Sequence, residues 1–204
     1  MQEHEHLHIY YLSIFSSLFR ESQNLFFTYK SLTNNLQSLC SDMEWYDPKE
    51  GRENKYRMKD LGALLSQYKQ SINTTLIFLI EKSTEDIIYQ LRSNPISKKI
   101  DFWTACKTCV FANEVTTLRH LNNCLKHNSG IVDDNSAPGK FLLKNGYRLN
   151  DRIEYLEFDF EDLIYKSYHF NLDLLCQSCS KEFKVTEKQH FIKYIIPEFI
   201  HNQL

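Results

Sequence analysis

The chain has 204 residues, 42% of them hydrophobic and 25% charged, and its 24 basic and 26 acidic side chains leave a formal net charge of −2. Five glycines and four prolines are too few for collagen-like or Gly/Pro-rich disordered chains, and 14% aromatics are too many for disorder. The near-neutral balance argues against a surface that is basic throughout, so any nucleic-acid contact is confined to a local patch.

With about 150 residues per domain as the usual scale, residues 1–204 are expected to form a single domain. Leu and Ile far outnumber Val, and breakers are scarce, which leans towards helix. Along the first segment, Phe15, Leu18, Ser22, Leu25, Tyr29, Leu32, Leu36 and Leu39 recur in steps of three and four, the stripe of a long helix packed on one neighbour. Pro48, Gly51 and mixed charge mark Asp42–Asn54 as a loop. A second stripe runs through Leu61, Leu65, Tyr68, Ile72, Leu76 and Leu79 towards Ile87 and Leu91, stopping before Ser93-Asn94-Pro95. Two such helices predict an antiparallel pair.

A third helical stretch, the motif helix, is predicted over about 102–127, with an interruption near Thr116-Thr117. The segment 128–151 follows, carrying Gly130, Pro138, Gly139 and Gly146. It reads as a long loop, a length that in compact domains tends to be functional or mobile. C-terminal helices are expected over about 158–200: one from Phe158 to Ser178 and a short one from Glu187 to Ile200. The predicted fold class is therefore all-α, an up-and-down bundle of four to six helices. The longest apolar run, Leu76-Ile77-Phe78-Leu79-Ile80, falls far short of a membrane span of ~18 residues. The opening MQEHEHLHIYYL has no basic leader region, so a cytoplasmic protein with reduced thiols and no membrane partner is expected.

One helix face stands out. In Leu118–Asp133, LRHLNNCLKHNSGIVD, the residues Arg119, Asn122, Asn123, Lys126 and His127 fall at i, i+3, i+4, i+7 and i+8, which places them on one side of a helix. Leu118, Leu121 and Leu125 form a separate apolar stripe for the core. A solvated face normally mixes Glu with Lys, yet these nine residues include no acid. Two cations, two amides and an imidazole suit a phosphate-bearing ligand, and histidine titrates near neutral pH. The helix is expected to stop at Asn128-Ser129-Gly130.

This segment resembles the HEPN domains (higher eukaryotes and prokaryotes nucleotide-binding). Their third long helix often ends in a phrase like R-N-x-x-x-H-N-x-G-I-V-D, with G-x-x-L-x-D-x-I after a loop. Here Asn122-Asn123-Cys124-Leu125-Lys126-His127-Asn128-Ser129-Gly130-Ile131-Val132-Asp133 is followed by Gly146-Tyr147-Arg148-Leu149-Asn150-Asp151-Arg152-Ile153. The likeness covers Leu118–Ile153; the helices around it match in layout only. The resemblance implies an all-α, HEPN-like bundle, often a homodimer with motif helices facing each other across a cleft. It also implies an RNA-targeting function, in active members metal-independent endoribonuclease action within toxin–antitoxin or anti-phage defence systems, with an antitoxin or defence-complex protein as a further partner. No cofactor is implied.

His127 lands on the family histidine, the general acid or base, and Asn123 on the polar residue after the family arginine. Asn122 stands where that arginine would be. Arg119 lies one turn earlier on the same face, with seven residues between it and His127, a longer spacing than the family's. Under the resemblance His127 and Arg119 are the catalytic candidates, Arg119 stabilising an anionic transition state. Asn122, Asn123, Lys126 and Asn128 are the phosphate- or RNA-binding candidates. If the missing arginine ends catalysis, the chain is a degenerate module for RNA or partner binding.

The cysteines offer a different class of answer. Cys106, Cys109, His120 and Cys124 have the spacing of a small zinc site made of three thiolates and an imidazole, which would make the chain a binding adaptor. No Gly or Pro follows Cys109 to form a knuckle. A four-thiolate set drawing on Cys176 and Cys179 is also open, against buried thiols packing as small hydrophobes.

Overall fold

A computed structural model describes residues 2–44, 51–93 and 101–178. The structure is an all-α helical bundle. Its elements in chain order are α1 (Gln2–Glu44), α2 (Gly51–Ser93), the short α3 (Phe102–Ala105), α4 (Ala112–His127), α5 (Ala137–Lys144), a 3-10 turn (Ile153–Tyr155) and α6 (Phe160–Ser178). Among the described residues the sole β pairing is an isolated antiparallel bridge between Ile131 and Arg152. No helix there is long and apolar enough to cross a membrane. The short helix expected over Glu187–Ile200 lies outside the described residues.

The described residues fall into two compact units. The first comprises the described residues of Met1–Asn24, Lys82–Val115 and Ile164–Leu204. Its core joins Ile14, Phe15 and Leu18 of α1 to Ile87, Ile88 and Leu91 of α2 and to Phe170, Leu174 and Leu175 of α6. These are the positions that steps of three and four place on one face. A buried hydroxyl pair, Thr84 with Ser167 at 3.2 Å, satisfies the polar groups that this packing takes from water.

In this unit the motif helix departs from expectation. It is broken at residues 106–111, not at Thr116-Thr117, and α4 runs unbroken through both threonines. The break is held by tertiary contacts: the Val110 N–H donates to Asp173 Oδ2 at 3.1 Å, and the Gln177 amide donates to the Thr108 carbonyl at 3.0 Å. Phe111 takes a positive φ of 54°, a conformation that costs a bulky residue strain.

The second unit comprises Leu25–Glu81 and Thr116–Leu163 in their described parts. Ile72, Leu76, Ile77 and Ile80 of α2 and Leu118, Leu121 and Cys124 of α4 are buried in it, as are Val132, Leu142, Ile153 and Phe160 from the segment that follows. Asn73 of α2 donates to the carbonyls of Glu154 and Leu156 at 3.0 and 2.7 Å, tying down the 3-10 turn.

The segment 128–151, expected as a long loop, contains α5 and is braced throughout. Ser136 caps α5, its Oγ accepting from the Gly139 N–H at 3.0 Å, and Pro138 occupies the first turn, where its missing N–H costs nothing. The Val132 N–H donates to the Asp151 carbonyl and the Ile153 N–H to the Gly130 carbonyl, both at 2.9 Å. A structureless stretch of that length is entropically costly; this one spends its backbone groups on itself.

Candidate functional site

The polar face of α4 lies in the second unit, and its residues are not equivalent. Asn122 is 2% exposed and donates from Nδ2 to Glu81 Oε2 at 2.8 Å. Arg119 donates from Nη1 to Glu81 Oε1 at 2.9 Å, and Lys126 Nζ stands 3.9 Å from Glu81 Oε2. The Glu81 side chain is itself only 3% exposed. A guanidinium, an amide and an ammonium thus converge on one buried carboxylate supplied by α2. Burying an ionised carboxylate costs several kcal/mol unless charge and hydrogen bonds compensate it, and these three groups do so.

The acid-free row therefore has its acid after all, on a different helix. Two of the residues predicted to grip a ligand face inward to Glu81, which corrects the expectation of a shared open edge. What remains accessible is the end of α4: Lys126 and His127 are exposed and Asn123 is half-buried. The Lys126 ammonium also lies 5.6 Å from the centroid of the Phe78 ring, within cation–π range. Phe78 is 43% exposed, so an aromatic and a cation share the surface beside His127's helix end.

Asn128 has a different task from the one predicted. Its Nδ2 donates to Asp133 Oδ2 at 2.6 Å and to Ser136 Oγ at 2.7 Å, so it fastens the turn after α4. Ser129 and Gly130 both adopt positive φ, 53° and 72°, and the Gly130 N–H returns to the Cys124 carbonyl at 3.0 Å. Asp133 accepts backbone N–H groups from Ser136 and Asn135. The Ser136 N–H above all, helped by the Ser136 hydroxyl, the Asn135 N–H and the Asn128 amide, holds the Asp133 carboxyl below its usual range. The phrase Asn128-Ser129-Gly130-Ile131-Val132-Asp133 is in this chain a helix stop welded to the cap of the next helix.

The zinc alternative is not assembled. Among the described residues no three or more His, Cys, Asp or Glu side chains are grouped to hold a metal ion. His120 stacks on Phe141 with centroids 4.2 Å apart, and burial, then the Arg119 charge, push its pKa down. Burial pushes the Cys124 thiol up and, with Asp173, carries Cys109 to about 12. Cys106 is a partly buried neighbour of the first unit's core and Cys176 belongs to that core; Cys179 lies outside the described residues.

Glu81 is the residue that sequence reasoning passed over. Its signal was present: Ile77, Glu81, Thr84 and Ile88 share one helical face at i, i+4, i+7 and i+11, so an acid stands in an apolar stripe. Such an acid demands a cationic partner. Compared with family models, with curated proteins and with solved structures, the chain matches nothing.

Proposed function

We propose that this chain is a non-catalytic, HEPN-like helical module that binds a phosphate-bearing partner, RNA foremost, through the exposed end of α4. The observation that carries this reading is the convergence of Arg119 and Asn122 on buried Glu81. A ribonuclease of the kind the resemblance implies needs a cation aimed at the phosphate to offset the charge that develops in the transition state. Here the arginine's charge is already committed to a carboxylate, and Asn122 carries none. Lys126 and His127 remain exposed, with Phe78 as a surface against which a base can stack. Those groups suffice for docking a backbone, whereas accelerating its cleavage needs more.

The experiment is a titration of the full chain with labelled single-stranded RNA at several salt concentrations, with the RNA inspected afterwards for breaks. Binding without cleavage is expected, and Lys126→Ala lowers the slope of log affinity against log salt by about one. Cleavage that His127→Ala removes would overturn the non-catalytic reading and restore the ribonuclease one, in which Arg119 leaves Glu81 or a second copy supplies the cation. Absence of any salt-sensitive binding sinks both.

A further inference from the structure

The second unit has an open groove of about 670 Å3, most of whose lining side chains are exposed. One wall is the α2 face formed by Gln67, Gln70, Ser71, Thr74 and Thr75; opposite stand Leu125, the Ser129–Gly130 turn and Glu154. The five α2 positions follow the i, i+3, i+4, i+7, i+8 spacing of a single helix face, and none is charged. Glu154 is the sole charged residue in the lining. Its side chain is 16% exposed, and Oε1 lies 3.3 Å from Arg152 Nη1. A β-carbon on Gly130 would come within 2.6 Å of Glu154 Oε2. With glycine there, the Glu154 carboxylate lies against the turn.

The hydrogen-bonding inventory mixes donors and acceptors around one carboxylate. The Ser71 and Thr74 hydroxyls donate to the Gln67 and Gln70 carbonyls of their own helix at 3.0 and 2.9 Å, so each keeps lone pairs for a ligand. Gln70 donates to Ser66 Oγ at 3.1 Å, and its side-chain oxygen is an acceptor. Glu154 Oε2 accepts only. With no cation in the lining, a phosphate or carboxylate finds no charge partner there, and hydroxyl and amide groups around one carboxylate suit a ligand that brings several O–H groups.

We infer that this groove is a binding site for a neutral ring bearing a vicinal diol, whether a free monosaccharide or the ribose of a nucleoside. Glu154 takes one ring hydroxyl, as acids do for ribose hydroxyls in dinucleotide sites. The Gln, Ser and Thr side chains take the others, and Leu125 covers the apolar C–H face of the ring. The groove borders the Lys126–His127 edge, since Leu125, Ser129 and Gly130 of its lining flank those two residues in sequence, but it takes a neutral ligand where that edge takes an anionic one.

The test is amide-shift mapping on the full-length 15N-labelled chain with four probes: ribose, adenosine, 2′-deoxyadenosine and spermidine. Ribose or adenosine is expected to move the Ser129 and Gly130 amides and the Gln67 side-chain amide, with deoxyadenosine clearly weaker than adenosine. Equal affinity for ribose and adenosine assigns a free sugar; tighter adenosine assigns a nucleoside. Glu154→Gln is expected to cost about tenfold in affinity, the weight of one hydrogen bond to a charged group. Gln67→Leu on the exposed α2 face is expected to weaken binding with helicity unchanged. No shift with either diol, deoxyadenosine equal to adenosine, or a response to spermidine alone overturns the inference. These resonances report on the groove whether or not the α4 end binds RNA.

Discussion

Arg119 of α4 and Glu81 of α2 form an ion pair at 2.9 Å in which the acid is buried and the arginine three-quarters so. A pair of this kind adds little net stability as a unit, but breaking it from one side strands a charge. Arg119→Met is therefore expected to destabilise the fold by about 3–5 kcal/mol. Glu81→Leu together with Arg119→Met is expected to recover only part of that loss, since no charge is left stranded but the buried Asn122 amide loses its acceptor. Urea unfolding of the two variants checks this. Equal instability of the single and double variants would mean that the pair is not what matters.

That pair also marks the limit of what was legible beforehand. The helices were legible because Phe15, Leu18, Leu76 and Leu91 repeat with helical spacing, and periodicity is a local property. The break at 106–111 was not, because Lys107, Thr108 and Val110 carry no turn signal; Asp173 and Gln177, more than 60 positions later, hold it open. Within 128–151 the sign of a helix was present in Ser136 followed by Pro138, a cap and a first-turn proline, but the surrounding glycines masked it. The candidate site was half legible. Spacing placed Arg119, Asn122 and Lys126 on one face of α4, while the partner that claims them comes from a helix some 40 residues earlier.

Stability should fall on mild acidification. Burial pushes the pKa of both His120 and His169 below the ordinary value of 6.5. A group depressed in the folded state releases protons on folding, so its contribution is present above the unfolded value and is lost as pH falls towards the folded one. The midpoint of urea unfolding is thus expected to decline as pH drops below about 6.5. His120→Phe keeps the stacking on Phe141 at 4.2 Å and is expected to flatten part of that decline, the remainder belonging to His169. An unchanged profile when His120→Phe is combined with His169→Phe would place the acid sensitivity elsewhere.

Asp133 governs a lower window. The Ser136 N–H, and then the Ser136 hydroxyl, the Asn135 N–H and the Asn128 amide, stabilise its charged form and hold its pKa below the ordinary 3.8. Its contribution is accordingly complete above 3.8 and disappears as pH falls through the depressed folded value. Asp133→Asn is expected to loosen the turn at neutral pH, seen as faster amide exchange at Ser136 and Gly139, and to abolish the extra loss of protection in acid. Exchange rates identical to the parent at neutral pH would show that the carboxylate does not fasten the turn.

Two glycines make opposite predictions when changed to alanine. A β-carbon at Gly139 would sit 2.0 Å from the Asp133 carbonyl oxygen, a backbone atom that no rotamer change can move aside. Gly139→Ala is expected to destabilise by about 1–3 kcal/mol or more and to expose 134–146 to proteolysis as α5 loses its cap. Gly62, inside α2, has nothing within 4 Å of the same added atom. Alanine there removes backbone freedom from the unfolded chain and favours the helix, so Gly62→Ala is expected to stabilise by about 0.5–1 kcal/mol. Thermal unfolding of both variants measures the contrast. If the two shift in the same direction, the close approach of Asp133 to α5 is not what demands glycine at position 139.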